Sequence, residues 1–302
     1  MFKNFNEMLE KLRNLPPLRV SVVQAADAAV LEAVKDACDK GIIEPILVGE
    51  KEKIQKEALK AGFPVKNVEI VDCSPEEAPL TGVRLVHENR ADVLMKGLVD
   101  TATFMKAVLN PDFGLRTGEL LSHLAAFEVP NFNRIIFVTD GGINIAPTLE
   151  EKISILKNAI RALRAIGYTE PKVAVLSAVE TVSFKMQSSV DAAILAKMAE
   201  RNQIKGALVD GPLALDNAVS EEAAAHKGIK SPVAGRADLI LVPNIETGNA
   251  LGKSLTFLAG GLMAGIVVGA KAPVVLSSRA DSPLSKLMSI VLACLVKRGE
   301  KT

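Results

Sequence analysis

The chain has 302 residues, 49% hydrophobic and 24% charged, with a net charge of +1. Such a composition is globular, without a disordered excess, and the length suits two domains better than one compact sheet. The near balance of charge excludes a field that would steer the chain toward nucleic acid or an anionic membrane, so an anionic ligand has to be met by a local site.

Residues 5 to 13 are predicted as an amphipathic helix with Met8, Leu9 and Leu12 on one side, ended by Pro16 and Pro17. A strand over Arg19 to Val23, a helix over Ala28 to Lys40 closed by Gly41, and a strand over Glu44 to Val48 follow. Next come a helix over residues 51 to 61 closed by Gly62, a strand near Val68 to Val71, a helix near Thr81 to Asn89 and a strand from Asp92 to Met95. This alternation belongs to parallel α/β structure. In such sheets ligands collect beyond the carboxyl ends of strands. That singles out Lys96-Gly97, after Met95, and the stretch from Thr139 to Pro147 with Asn144 inside it, after a strand over Arg134 to Val138. Either stretch can equally be an ordinary turn.

Thr148-Leu-Glu-Glu151 has the form of a capping box, and Ile153, Leu156, Ile160 and Leu163 carry a helical stripe on to Gly167. A second domain is expected to begin here. Its strands are placed at Val173 to Leu176 and Ala207 to Val209, with a helix over about residues 189 to 201 between them. The richest stretch runs from Arg236 to Ser254. Leu239 to Val242 is an apolar run stopped by Pro243, and Asn244, Gly248, Asn249, Gly252, Lys253 and Ser254 follow. A strand, a glycine turn and a helix start together form a phosphate-binding arrangement, because glycines admit an anion to backbone N–H groups while the helix end and a lysine supply positive charge. Only three residues separate Gly248 from Gly252, one short of the P-loop pattern, and a plain strand-to-helix turn with an exposed lysine is an equal reading.

Near the C-terminus, Ser277 to Asp281 lies between a strand end and a helix start. Ser282 is placed as N-cap and Pro283 as the first helical residue, ahead of an apolar stripe of Leu284, Leu287, Met288, Val291 and Leu295. Arg279 beside that helix end is either a second anion hook or the partner of a nearby carboxylate.

Cys38, Cys73 and Cys294 are far apart and lack metal-ligand spacing, which fits a reduced, cytoplasmic compartment. The opening residues have acids and amides where an export signal needs an apolar core. Ser254 to Ala270 is uncharged, but Lys253 and Lys271 bracket only 17 residues, less than the usual span of about 20, so a helix, turn and buried strand are expected rather than a membrane segment. His87 and His226 are expected on helix surfaces; His123 is the one histidine worth testing, with a structural role the stronger reading.

Together, Met95-Lys-Gly97, Thr139 to Pro147, Leu176-Ser-Ala-Val-Glu180, Asp210-Gly-Pro-Leu-Ala-Leu-Asp216, Val233 to Asp238, Pro243-Asn244, Gly248-Asn249 and Ser278-Arg279 resemble the phosphate acetyl- and butyryltransferases along nearly the whole chain. The resemblance implies two α/β/α domains with mainly parallel sheets, of the isocitrate and isopropylmalate dehydrogenase type, with the active site in the cleft between them. The expected division is residues 1–143 plus 272–302 for domain I and 144–271 for domain II. It also implies acyl transfer between coenzyme A, a substrate, and inorganic phosphate, with acyl-CoA and acyl phosphate as the other reactants. No metal or tightly bound cofactor is implied, and the assembly would be a homodimer or higher homo-oligomer. A thiol attacking an acyl phosphate needs a base, a phosphate clamp and oxyanion donors. By resemblance Arg279 holds phosphate, Ser278 hydrogen-bonds the reacting centre and Asp281 stands in as base. Lys96, Gly97, Asn144, Asn244, Gly248, Asn249 and Lys253 are expected to contact substrate or phosphate.

Two departures favour the butyryl-type branch. Ser285 stands where the acetyltransferases carry an aspartate, and Lys106 where they carry a phosphate-binding arginine. The competing expectations are a phosphate acetyltransferase, a non-catalytic acyl-CoA-binding regulatory module, a metal-dependent dehydrogenase of the shared fold and, last, a P-loop nucleotidase.

Overall fold

The structure is a computed structural model and describes residues 1–278 and 280–300. Two compact units emerge from its contacts: a first formed by Phe5–Glu119 with Ala264–Thr302, and a second formed by Leu120–Met263 with Met1–Asn4.

The first unit opens with α1 (Phe5–Glu10), then alternates β1 (Leu18–Val23), α2 (Ala28–Asp39), β2 (Ile43–Gly49), α3 (Lys51–Lys60), β3 (Glu69–Asp72), α4 (Ala78–His87), β4 (Val93–Lys96) and α5 (Thr101–Val108). Strands β1 and β4 are mostly apolar and, Arg19 apart, buried on both faces, as inner strands of a parallel sheet are when helices cover both sides. Asp27 caps α2 through Val30 N, and Asp100 caps α5 through Thr103 N at 2.8 Å, so the carboxyl-end loops of two neighbouring strands, β1 and β4, close on helix N-termini.

The second unit contains β5 (Ser122–Glu128), β6 (Ile136–Thr139), α6 (Leu149–Ala165), β7 (Lys172–Leu176), α7 (Gln187–Glu200), β8 (Leu208–Leu213), α8 (Leu215–Val219), α9 (Glu221–His226), β9 (Leu239–Leu241) and α10 (Ile245–Lys253). Its strands run in the order β5-β6-β9-β7-β8, parallel except for the antiparallel pair β5 and β6. A core of Ala125, Phe127, Ile136, Val138, Leu176, Ile240 and Val242 fills one face. The chain then returns to the first unit with β10 (Leu262–Val268), β11 (Val274–Val275) and α11 (Pro283–Gly299). That unit's order is therefore β3-β2-β1-β4-β11-β10, with only β10 antiparallel to its neighbour.

The fold class is the expected α/β with mainly parallel sheet. The units divide at Glu119/Leu120 and Met263/Ala264, whereas the expected boundaries fell at 143/144 and 271/272. The difference has a simple cause: β6 bonds to both β5 and β9, so both strands of the hairpin belong with the later elements, while β10 bonds to β11. Ser254 to Ala270 forms a single π-turn, a turn at Gly260 and then β10, and no helix among the described residues is long and apolar enough to cross a membrane.

The capping box at the start of α6 is complete: Thr148 Oγ1 accepts from Glu151 N at 3.3 Å, and Glu151 Oε2 accepts from Thr148 N at 2.7 Å. Thr148→Ala should cost about 1 kcal/mol, read as a lowered urea midpoint at constant m-value.

Candidate functional site

The first unit gathers its candidates at the carboxyl end of its sheet. Lys96 ends β4 and is only 4% exposed, with Nζ 3.4 Å from Gly97 O. Gly97 lies directly against the chain leaving β1: it donates to Val23 O at 2.8 Å, and a Cβ there would stand 2.4 Å from Gln24 O. A glycine is thus required to let the β4 loop lie on the β1 loop. These two loops and the residues after β11 enclose a small cavity lined by Asp27, Val30, Lys96, Gly97, Leu98, Ser277, Ser278 and Lys286. Strands β1 and β4 are adjacent and parallel, so the loops leaving them, into α2 and α5, lie side by side at the carboxyl end of the sheet, where open α/β sheets hold ligands.

Ser278 is exposed and belongs to a closed turn. Its N–H donates to Asp281 Oδ2 at 2.7 Å, Asp281 N–H donates back to Ser278 O at 3.2 Å, and Ala280 N–H reaches Ser278 Oγ at 3.3 Å. Asp281 therefore holds its own turn with one carboxylate oxygen. Ser282 then caps α11 through Ser285 N at 3.1 Å, with Pro283 at the first helical position as expected. Arg279, the expected phosphate clamp, lies outside the described residues. Ser285, at the position of the missing acid, is buried and its carbonyl accepts from Ser289 Oγ at 2.8 Å. Lys106 sits exposed in the last turn of α5.

Lys286 was not among the expected site residues. It is 2% exposed, and its Nζ donates to Ser278 O at 2.8 Å and Asp281 O at 2.9 Å. Burial pulls its pKa below the ordinary lysine value, and the nearby carboxylates of Asp281 and Asp27 oppose that shift. Sequence periodicity masks it, because a lysine near a helix start normally points to water. The sign that could have exposed it is the nearly unbroken apolar run that follows, since burial on all sides begins at Ser285, one residue before the lysine.

The second unit holds the other candidates. Asp140, buried at the end of β6, organises the following loop: Oδ1 accepts from Gly142 N and Ile143 N at 2.9 Å each, and Oδ2 accepts from Asn144 Nδ2 at 2.7 Å. Asn144 spends its amide there and on Leu121 O at 2.9 Å, so it is a loop brace. Asn244 caps α10, with Oδ1 accepting from Thr247 N at 3.0 Å and Thr247 Oγ1 at 2.6 Å. The two loops are joined by Ile245 N to Ile145 O at 2.9 Å.

The glycine turn expected after β9 is instead helix. Gly248 and Gly252 lie inside α10, Gly248 N donates to Asn244 O at 3.2 Å, and Lys253 occupies the last turn rather than the anion-favouring first one. The glycines serve packing: a Cβ on Gly248 would stand 2.6 Å from Gly141 Cα, and one on Gly252 would stand 3.1 Å from Phe127 Cζ. Asn249 and Lys253 are both exposed on this helix. At the opposite end of β9, Arg236 pairs with Glu221 at 2.8 Å, and buried Asp238 accepts from Lys172 N at 2.8 Å, tying β9 to β7. That part of the motif-rich stretch is structural.

His123, half-buried on β5, offers its carbonyl to Thr139 Oγ1 at 2.7 Å, and its ring packs on Gly142. His87 Nδ1 lies 3.1 Å from Gly114 O.

Lys96, Ser278 and Lys286 around one cavity can hold an anion, with the carboxylate of Asp27, the cap of α2, opposing them from the same lining. Residues 75–294 match the family model described as phosphate acetyl/butaryl transferase. The phosphate butyryltransferase of Clostridium beijerinckii is 48% identical over 302 residues, all of both chains. The phosphate acetyltransferase of Thermotoga maritima is 44% identical, over 96% of this chain and 99% of that protein. A branched-chain phosphotransacylase from Enterococcus faecalis V583 superposes with a TM-score of 0.83 at 36% identity, covering 93% of this chain and 99% of that one. With its family model spanning most of the sequence and relatives matched end to end, this chain belongs to the phosphate acetyl/butaryl transferase family.

Proposed function

We propose that the chain, an acyltransferase by family, moves a short acyl group between coenzyme A and inorganic phosphate, with butyryl preferred to acetyl. The CoA thiol attacks the acyl phosphate carbonyl directly, with both substrates bound and no acyl-enzyme. The observation that carries this is the meeting of two buried lysines and Ser278 at the carboxyl end of a parallel sheet, positive charge that a phosphate leaving group can use. Lys96 and Arg279 hold phosphate, Ser278 hydrogen-bonds the reacting carbonyl, and Asp281, oriented by its bond from Ser278 N, takes the thiol proton. Gly97 lets the loops close on the ligand. In the second unit Asn144 and Asn244 brace the loops beside α10, whose exposed Asn249 and Lys253 face the acyl-CoA, while buried Gly248 lets that helix lie against Gly141. The preference for butyryl follows the full-length relatives that carry that name. The enzyme works in the cytoplasm as a homodimer or higher homo-oligomer.

The test is CoA thiol release from an acyl-CoA series, with and without phosphate. Release should require phosphate and peak near the butyryl chain. Phosphate-independent release, or none with any short chain, would remove the assignment; tight acyl-CoA binding without turnover would select a regulatory module instead. The protein's own thiols interfere little: burial pushes Cys38 and Cys294 up to about 12 and raises Cys73 as well. Native protein should therefore react slowly with a thiol reagent at pH 7 and rapidly once unfolded.

A further inference from the structure

We propose that Lys286 is a positioning residue for this exchange: its ammonium fixes the turn from Ser278 to Asp281 and thereby the place of the Ser278 hydroxyl. The chemistry rests on the function proposed above; the staple itself rests on geometry alone. Lysine is almost never fully buried without partners, because its desolvation has to be offset by hydrogen bonds. Here the partners are main-chain carbonyls at the two ends of one turn, Ser278 O at 2.8 Å and Asp281 O at 2.9 Å. The side chain reaches them from the first turn of α11 by running back toward the helix N-terminus, the direction in which helical side chains lean.

An ammonium has three hydrogens, and two are spent on the turn. The third is left for the cavity that Lys286 lines together with Asp27, Lys96 and Ser277. The cross-turn bonds, Ser278 N to Asp281 Oδ2 and Asp281 N to Ser278 O, close the same loop from inside. Helix α11 does not depend on this lysine for its seat, because Leu287 to Val296 is buried throughout. Loss of the ammonium therefore loosens the turn and leaves the helix in place.

The experiment compares Lys286→Met, of similar length but without donors or charge, with Lys286→Gln, which keeps two N–H donors without charge. Steady-state kinetics and amide hydrogen exchange over residues 277 to 282 are measured on the intact protein. Misplacement of a reacting group by about 1 Å can lower a rate on the order of 100-fold. K286M should lower kcat at least about tenfold, with KM for acyl-CoA nearly unchanged and faster exchange at the Ser278 and Asp281 amides. K286Q should recover part of both. Wild-type kcat and wild-type amide exchange in folded K286M would overturn the proposal, as would a loss of activity that tracks only the unfolded fraction. Should K286M not fold, K286Q decides: partial loss of kcat with faster exchange supports the staple, and wild-type values for both overturn it. If the wild-type protein shows no phosphate-dependent acyl exchange, the functional assignment fails, and the amide exchange still decides the role of Lys286.

Discussion

Replacing Lys96 by methionine is expected to lower phosphate-dependent acyl transfer by about 100- to 1,000-fold, the usual effect of deleting one donor aimed at developing charge. Lys96 ends an inner strand, is 4% exposed and lines the cavity beside Ser278 and Lys286. Methionine preserves most of its length and volume, so the packing between β1 and β4 should persist and the urea midpoint should move little. The distribution of the loss is informative. If the ammonium meets charge that grows on the departing phosphate, the fall lies in kcat; if it grips the phosphate equally in the ground state, the fall lies in KM for phosphate. Arg279→Ala is expected in the same range, on the strength of the family resemblance. A folded Lys96→Met protein with unaltered kcat and KM would remove Lys96 from the site.

Gly248→Ala should be among the most destabilising single-methyl additions in the second unit, at about 1–3 kcal/mol. The new methyl would stand 2.6 Å from Gly141 Cα and 2.8 Å from Val242 Cγ2, and the first of these is backbone that no rotamer change can move. The strain has to go into the loop braced by Asp140 and Asn144, so acyl-CoA turnover should drop along with the urea midpoint. Gly252→Ala is the control. Its methyl would meet only the edge of the Phe127 ring at 3.1 Å, which can tilt, and helix propensity returns about 1 kcal/mol for Gly to Ala. That variant should stay near wild-type stability. Equal losses in the two would mean that helix geometry, rather than the Gly141 contact, sets the cost.

Much of the first unit was legible because inner parallel strands are short apolar runs bounded by Gly and Pro, and β1, β2 and β4 conform. The capping box at Thr148 and the Ser282-Pro283 start of α11 were equally plain, since both are local chemistry. Strand β5 was hidden, because Ser-His-Leu-Ala-Ala-Phe-Glu has little intrinsic strand preference and is held by its pairing with β6. Strand β8 was cut short at Val209, yet it continues through Gly211 and Pro212 to Leu213; it lies at the sheet edge, where proline costs no ladder bond. The glycines of α10 suggested a loop because glycine disfavours helix, and only the approach of Gly141 explains why the helix accepts them. For the candidate site, sequence patterns pointed to Lys96 and Ser278 from their places at strand ends, and the structure puts both on one cavity. They could not reveal Lys286, whose partners are carbonyls that come within reach only once the turn has formed.

The first unit is assembled from two separate segments of the chain: Phe5–Glu119 supplies β1 to β4, while most of β10, with β11 and α11, comes from Ala264–Thr302. On the ribosome, the segment made first must therefore wait with the β11 side of β4 unpaired and one face of α2 bare until the last residues emerge. Leu120–Met263 lacks only the short Met1–Asn4 segment, already synthesised, and can complete its sheet earlier. The unit that carries Lys96 and Ser278, begun first, is thus completed last, and a nascent chain stalled before β11 keeps an exposed strand edge open to chaperones or to a neighbouring chain.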